Sequence, residues 1–86
     1  MGRGVLARSA RDALGRLDFL RADAVLDALD ALERDPEAGH PLRGRLAGLR
    51  SYRVGVYRIL YEQLDRNTVR VVAIRHRGEA YGRDPR

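Results

Sequence analysis

Eighty-six residues allow one domain, taken as 1–86, with a small core, and a hydrophobic fraction of 44% is that of a globular rather than a disordered chain. The net charge is +5, every one of the 17 basic residues is arginine, and such a balance favours a polyanionic partner. There is no cysteine, which excludes a disulfide scaffold, a thiolate metal site and a cysteine nucleophile, and the two histidines, His40 and His76, are too far apart to suggest a metal site. No cofactor is expected. No apolar run approaches a membrane span and the N-terminus lacks a signal-peptide core, so a soluble cytoplasmic protein is the expectation.

In chain order, Arg3–Ala7 reads as a short first strand. Ser9-Ala10-Arg11-Asp12 has the form of a capping box with Asp in the acceptor position, and Ala10, Ala13, Leu14 and Leu17 fall at helical spacing, which predicts a first helix over 9–17 with Asp18 in the break that follows. Phe19–Arg34 is the clearest helix. Ala22, Val25, Leu26, Leu29 and Leu32 form its apolar stripe, Arg21, Asp23, Asp27, Asp30 and Glu33 its solvated side, and Pro36 its stop. The two helices are expected to form a hairpin over one side of a sheet. Glu37–Gly48, punctuated by Gly and Pro, reads as a loop with His40 as a turn residue and with Leu42 and Leu46 tucked into the core edge.

The remainder of the chain, from Arg50 to Tyr81, is rich in Val, Ile, Leu and Tyr and breaks at Gly55 and near Asp65–Asn67, giving a short strand followed by two long ones. Tyr52, Tyr57 and Tyr61 are read as core or half-buried packing residues. Arg53, Arg58 and Arg77 fall one on each of three successive strands, and Tyr81 lies just past the last. In a meander these side chains can share a face, because residues of equal parity on a strand point the same way. Arg75 and Arg77 then point one way and His76 the other, unless a bulge near Arg75–Gly78 intervenes. Clustered arginines suit phosphate, since the guanidinium presents a planar fork of donors and keeps its charge at neutral pH. Residue spacing alone thus describes a basic α/β module with a candidate anion site, and names no reaction.

Three segments resemble the RelE/ParE superfamily of toxins from type II toxin–antitoxin modules: Pro41-Leu42-Arg43-Gly44, the run from Gly48-Leu49 through Tyr52-Arg53-Val54-Gly55-Val56-Tyr57-Arg58-Ile59-Leu60-Tyr61-Glu62, and Val71–Tyr81. Nearly the whole chain is covered. The resemblance implies an α+β, RelE-like fold, a two-helix hairpin packed on a small curved antiparallel sheet of three to four strands. It implies a toxin neutralised by an acidic antitoxin, oligomeric only through that complex, which acts as a metal-independent endoribonuclease on mRNA in the ribosomal A site. The ParE branch implies instead a gyrase inhibitor without the nuclease residues.

Carried over by position, Arg58 corresponds to the arginine at the scissile phosphate, Arg77 to the arginine at the leaving group, with Arg75 as its alternative, and Tyr81 to the tyrosine that stacks on a base. Arg53 falls near the basic residues of the preceding strand, where some members carry a lysine that serves as base. This chain has no lysine, and Ser51 stands two residues before Arg53. Among residues near the site only His76 titrates close to neutral pH, so it is the candidate base if it shares a face with Arg58; otherwise catalysis is electrostatic and positional.

Overall fold

The computed structural model describes residues 3–76. The elements run β1 (Arg3–Leu6), α1 (Arg8–Gly15), α2 (Phe19–Arg34), β2 (His40–Pro41), a single 3₁₀ turn (Gly44–Leu46), β3 (Arg50–Val54), β4 (Tyr57–Asp65) and β5 (Thr68–His76). The strands form one sheet in the order β1-β5-β4-β3-β2. Neighbours are antiparallel except β1, which lies parallel to β5. The α+β class with two helices on a sheet agrees with expectation. The sheet is larger than expected, with five strands rather than three or four, and it is mixed. His40–Pro41, read from sequence as a turn in a loop, pairs with Ser51 and Arg50 as a two-residue edge strand.

The start of α1 also differs. Its N-cap is Ala7, with no side-chain cap, and Ser9 lies inside the helix. The strand before it runs directly into the helix: the Ala7 N–H donates to the Val71 carbonyl (2.8 Å) while the Ala7 carbonyl accepts from the Arg11 N–H (2.9 Å). The sheet thereby fixes the helix entry, and no capping box is needed. Helix α2, by contrast, has the predicted ends. Asp18 caps it by accepting from the Arg21 N–H (2.9 Å), a bond that holds the Asp18 carboxyl below its usual pKa, and Pro36 follows just past its last turn.

Helix α2 buries Val25, Ala28 and Leu32, with Leu29 and Ala22 at the margin, whereas Leu26 is 47% exposed. The stripe is therefore the 25–28–32 line, and Leu26, one residue and about 100° further round, falls off it. These side chains, with Ala10 of α1, close on Ile59, Tyr61, Val69, Val71 and Ile74 of the sheet. Each fully buried aliphatic side chain contributes about 1.5–3 kcal/mol. Leu6, Tyr52, Val54 and Tyr57 pack at the edge of this core. Leu42 is half-buried, but Leu46, expected at the core edge, is 40% exposed.

Two latches tie the segment after α2 to the sheet. Tyr61 Oη accepts from the Gly39 N–H (2.9 Å) and donates to the Pro36 carbonyl (2.8 Å), while Arg50 Nη1 donates to the Gly39 carbonyl (2.7 Å). A Cβ at Gly39 would sit 2.7 Å from Tyr61 Oη and 2.9 Å from the Ser51 carbonyl, so this close approach requires glycine.

Candidate anion site on the open face of the sheet

The register of the three central strands decides what the sheet can do. Ile59 pairs with Tyr52 on one side and Ile74 on the other, which sets the helix-covered face. One residue along β4, Arg58 pairs with Arg53 of β3 and with Arg75 of β5. Directly paired residues share a face and adjacent ones alternate, so three arginines stand in one row across three strands on the face turned away from the helices.

The position of Arg75 in that row depends on a β-bulge. Leu60 pairs with Ala73, but the next residue, Tyr61, pairs with Val71, leaving Val72 as an extra residue in β5. Strict alternation from the buried Val69 and Val71 would send Ala73 and Arg75 toward the helices. The extra residue reverses the parity: Ile74 enters the core, and Arg75 is re-aimed into the row with Arg58. The unbroken apolar run Val71-Val72-Ala73-Ile74 is the one trace of this reversal in the sequence.

The turns hold these strands in register. Val54 pairs with Tyr57 across a two-residue turn whose Gly55 has φ +61°, a conformation that favours glycine. At the other end Asp65 Oδ1 accepts from the Asn67 N–H (2.8 Å), an Asx turn leading into β5.

Within the row, Arg53 and Arg75 are exposed and Arg58 is half-buried. Arg58 Nη1 donates to Ser51 Oγ (3.1 Å), and Ser51 is only 2% exposed. Sequence reasoning noted Ser51 only as an oddity beside Arg53; its contact with Arg58 follows from the β3–β4 register, which cannot be read from the chain. His76 pairs with Tyr57 on the helix-side face, their rings edge-to-face with centroids 5.4 Å apart. The bulge precedes Arg75 rather than following it, so the structure does not bring His76 onto the face of Arg58, and the condition attached to its role as base is not met. Arg77 and Tyr81 lie outside the described residues.

The row has the chemistry of a candidate anion site. Like charges directly opposite one another on a sheet cost stability, roughly 0.2–1 kcal/mol per pair. Multivalent phosphate reverses that cost, because each guanidinium offers charge-assisted hydrogen bonds to its oxygens.

The family model described as ParE toxin of type II toxin–antitoxin system, parDE, matches residues 5–81. Toxin RelG of Mycobacterium tuberculosis is 43% identical over 78 residues, covering 87% of this chain and 90% of that protein. Among solved structures, the toxin–antitoxin complex RelBE2 of Mycobacterium tuberculosis aligns with TM-score 0.81 and 35% identity over 88% of this chain and 98% of the other. The isolated E. coli RelE toxin aligns with TM-score 0.74 over 96% and 94%, at 20% identity, and so bears on the fold alone. The chain belongs to the RelE/ParE superfamily, the toxins of type II toxin–antitoxin systems.

Proposed function

We propose that this toxin is a RelE-like, ribosome-dependent mRNA endonuclease of the cytoplasm, held inactive by an acidic antitoxin. The observation that carries the reading is the Arg53–Arg58–Arg75 row on the face free of the helices. In RNA cleavage without metal, the 2′-oxygen attacks the adjacent phosphorus, the 5′-oxygen leaves, and a 2′,3′-cyclic phosphate and a 5′-hydroxyl end remain. Negative charge builds on the non-bridging oxygens meanwhile, and preorganised donors aimed at them are the largest catalytic contribution. Arg58, central in the row, takes that place, with Arg53 beside it on β3. Arg75 shares with Arg77 the candidacy for the leaving oxygen, and Tyr81 remains the candidate for stacking on a base. No lysine is present to take the 2′-proton and His76 stands on the other face, so catalysis here is electrostatic and positional.

The partner in this reading is an acidic segment laid over the basic sheet. Solved relatives such as RelBE2 are toxin–antitoxin complexes, which supports a partner of that kind. Expression of the chain alone should arrest growth, and co-expression with the neighbouring small open reading frame should restore it.

A second reading has one observation behind it: the matching family model is that of the ParE toxins. A ParE-like toxin would bind gyrase and leave RNA intact. Primer extension on cellular mRNA after brief induction separates the two. Cuts inside translated codons are the expected result; intact mRNA together with an SOS response would establish the gyrase reading instead.

A further inference from the structure

The arrangement on the open face raises a mechanical problem. Arginines stand on both sides of Arg58, and like charges drive long side chains apart, whereas electrostatic catalysis needs a guanidinium held in one place. We infer that Ser51 is the positioning residue for Arg58: its hydroxyl pins the guanidinium over the centre of the sheet for the phosphate. The inference rests on the nuclease reading above.

Three observations carry it. The first is the contact, Arg58 Nη1 to Ser51 Oγ at 3.1 Å. The second is burial. Apart from Tyr61, Ser51 is the one polar side chain buried among the described residues, and a buried hydroxyl that accepts a charged donor is a fixed anchor rather than a solvated rotor. The third is the ladder beneath it. Ser51 pairs with His40 of β2 on one side and Leu60 of β4 on the other, so its backbone is held from both edges, and Arg58 lies two residues from Leu60 on the same face.

The chemistry of the anchor matters as well. A carboxylate at position 51 would also hold the arginine, but it would neutralise the charge that the transition state uses. A hydroxyl engages one of the five N–H donors and leaves the charge in place. Strand β3 thus supplies a charge at Arg53 and a neutral clamp at Ser51, both on one face because their numbers differ by two.

Single-turnover cleavage on programmed ribosomes tests the inference with wild type, Ser51→Ala and Ser51→Thr, alongside thermal unfolding of each. Ser51→Ala should lower the rate at saturating ribosome about tenfold, the size of one hydrogen bond to a charged group, with the half-saturating concentration little changed. Ser51→Thr, which keeps the hydroxyl, should recover most of that loss. A rate for Ser51→Ala equal to wild type, or a loss that tracks only the fall in Tm and is not recovered by threonine, would overturn it. Should Ser51→Ala not fold, Ser51→Cys keeps the size with a weak acceptor and takes its place.

A second measurement does not depend on nuclease activity. Nitrogen-edited NMR should show slow rotation of the Arg58 guanidinium in wild type and fast rotation in Ser51→Ala. Equal rotation in both would overturn the clamp whatever the activity. Wild-type protein that leaves mRNA intact would defeat the nuclease reading, and the rotation measurement would then decide the clamp by itself.

Discussion

Two rows on the same face of the same sheet are built on opposite electrostatic terms. On one side of the β5 bulge, Glu62 of β4 pairs with Arg70 of β5, and their charged atoms are 3.4 Å apart. On the other side, Arg58 pairs with Arg53 and Arg75. The first row is what strand pairing for stability looks like, opposite charges across a ladder. The second places three positive charges in line at a cost to folding, and a single extra residue, Val72, brings the third of them there. The same contrast runs through the whole chain: residues 1–40 hold eight of the twelve acidic residues, and residues 41–86 hold eleven of the seventeen arginines. Six of those eleven arginines, against two acidic residues, fall within residues 50–76, which build β3 to β5.

The largest expected effect separates the rows by function. Arg58→Ala should reduce cleavage by about 10²-fold or more, the usual consequence of removing a donor to a developing oxyanion. Its Tm should fall only modestly, because relief of two like-charge pairs offsets part of the loss of the bond to the buried Ser51 hydroxyl. A variant that unfolds while Arg75→Ala leaves activity intact would make the row structural, and the contrast would collapse.

Next in size is the support behind the bulge. Tyr61 stands at the register shift, buried on the helix side, with both hydrogen bonds of its hydroxyl going to the segment after α2. Tyr61→Phe leaves the Gly39 N–H and the Pro36 carbonyl without this partner and should cost about 1–3 kcal/mol. For a domain of this size each kcal/mol is about 4–8 °C in Tm. Burial also raises the Tyr61 pKa above its ordinary value of 10.0. The folded state therefore holds the proton more tightly than the unfolded chain. The resulting stabilisation is complete below pH about 10 and is lost as pH rises through the folded pKa. Thermal melts of both proteins between neutral and alkaline pH should show a steeper alkaline decline in wild type than in Tyr61→Phe.

Smaller still is the effect of making the compensated row resemble the other. Glu62→Arg would set a positive charge opposite Arg70. The pair is partly exposed, so urea unfolding should register at most about 1 kcal/mol. Cleavage should not improve, since this row lies beyond the bulge from the site. A gain in activity would mean that net charge on the face matters more than the geometry of the Arg58 row.

The sequence reveals the elements that local chemistry closes, and hides what depends on long-range register. Helix α2 is legible to the residue because Asp18 caps it and Pro36 ends it. The β3–β4 and β4–β5 corners are legible because Gly55 and Asp65–Asn67 mark them. Strand β2 is hidden because two residues carry no periodicity, and the start of α1 because a tertiary bond to Val71 replaces the cap that Ser9 suggested. Arg53 and Arg58 are recognisable as a candidate pair across a short turn. That Arg75 joins them, and that Ser51 holds Arg58, follows from register and bulge, which no local signal specifies.

The smallest expected effect falls on the residue that pH chemistry alone would single out. Histidine is the side-chain type suited to proton transfer near neutral pH, and His76 stands one position from Arg75, so a sequence reading makes it the candidate base on condition that it shares a face with Arg58. Proton transfer, however, requires hydrogen-bond reach, and on a strand adjacent side chains point to opposite faces. The register places His76 opposite Tyr57, with the two rings at 90°, on the side away from Arg58. A base role would require the strand end to turn over and break that contact. His76→Gln should therefore leave the single-turnover rate on programmed ribosomes, and its profile across pH 5.5–8, close to wild type. The contrasting result is a loss of about 10²-fold or more together with removal of any titration near pH 6–7, the signature of a lost general base. That result would mean that the working face of the sheet includes the end of β5 in a conformation other than this one.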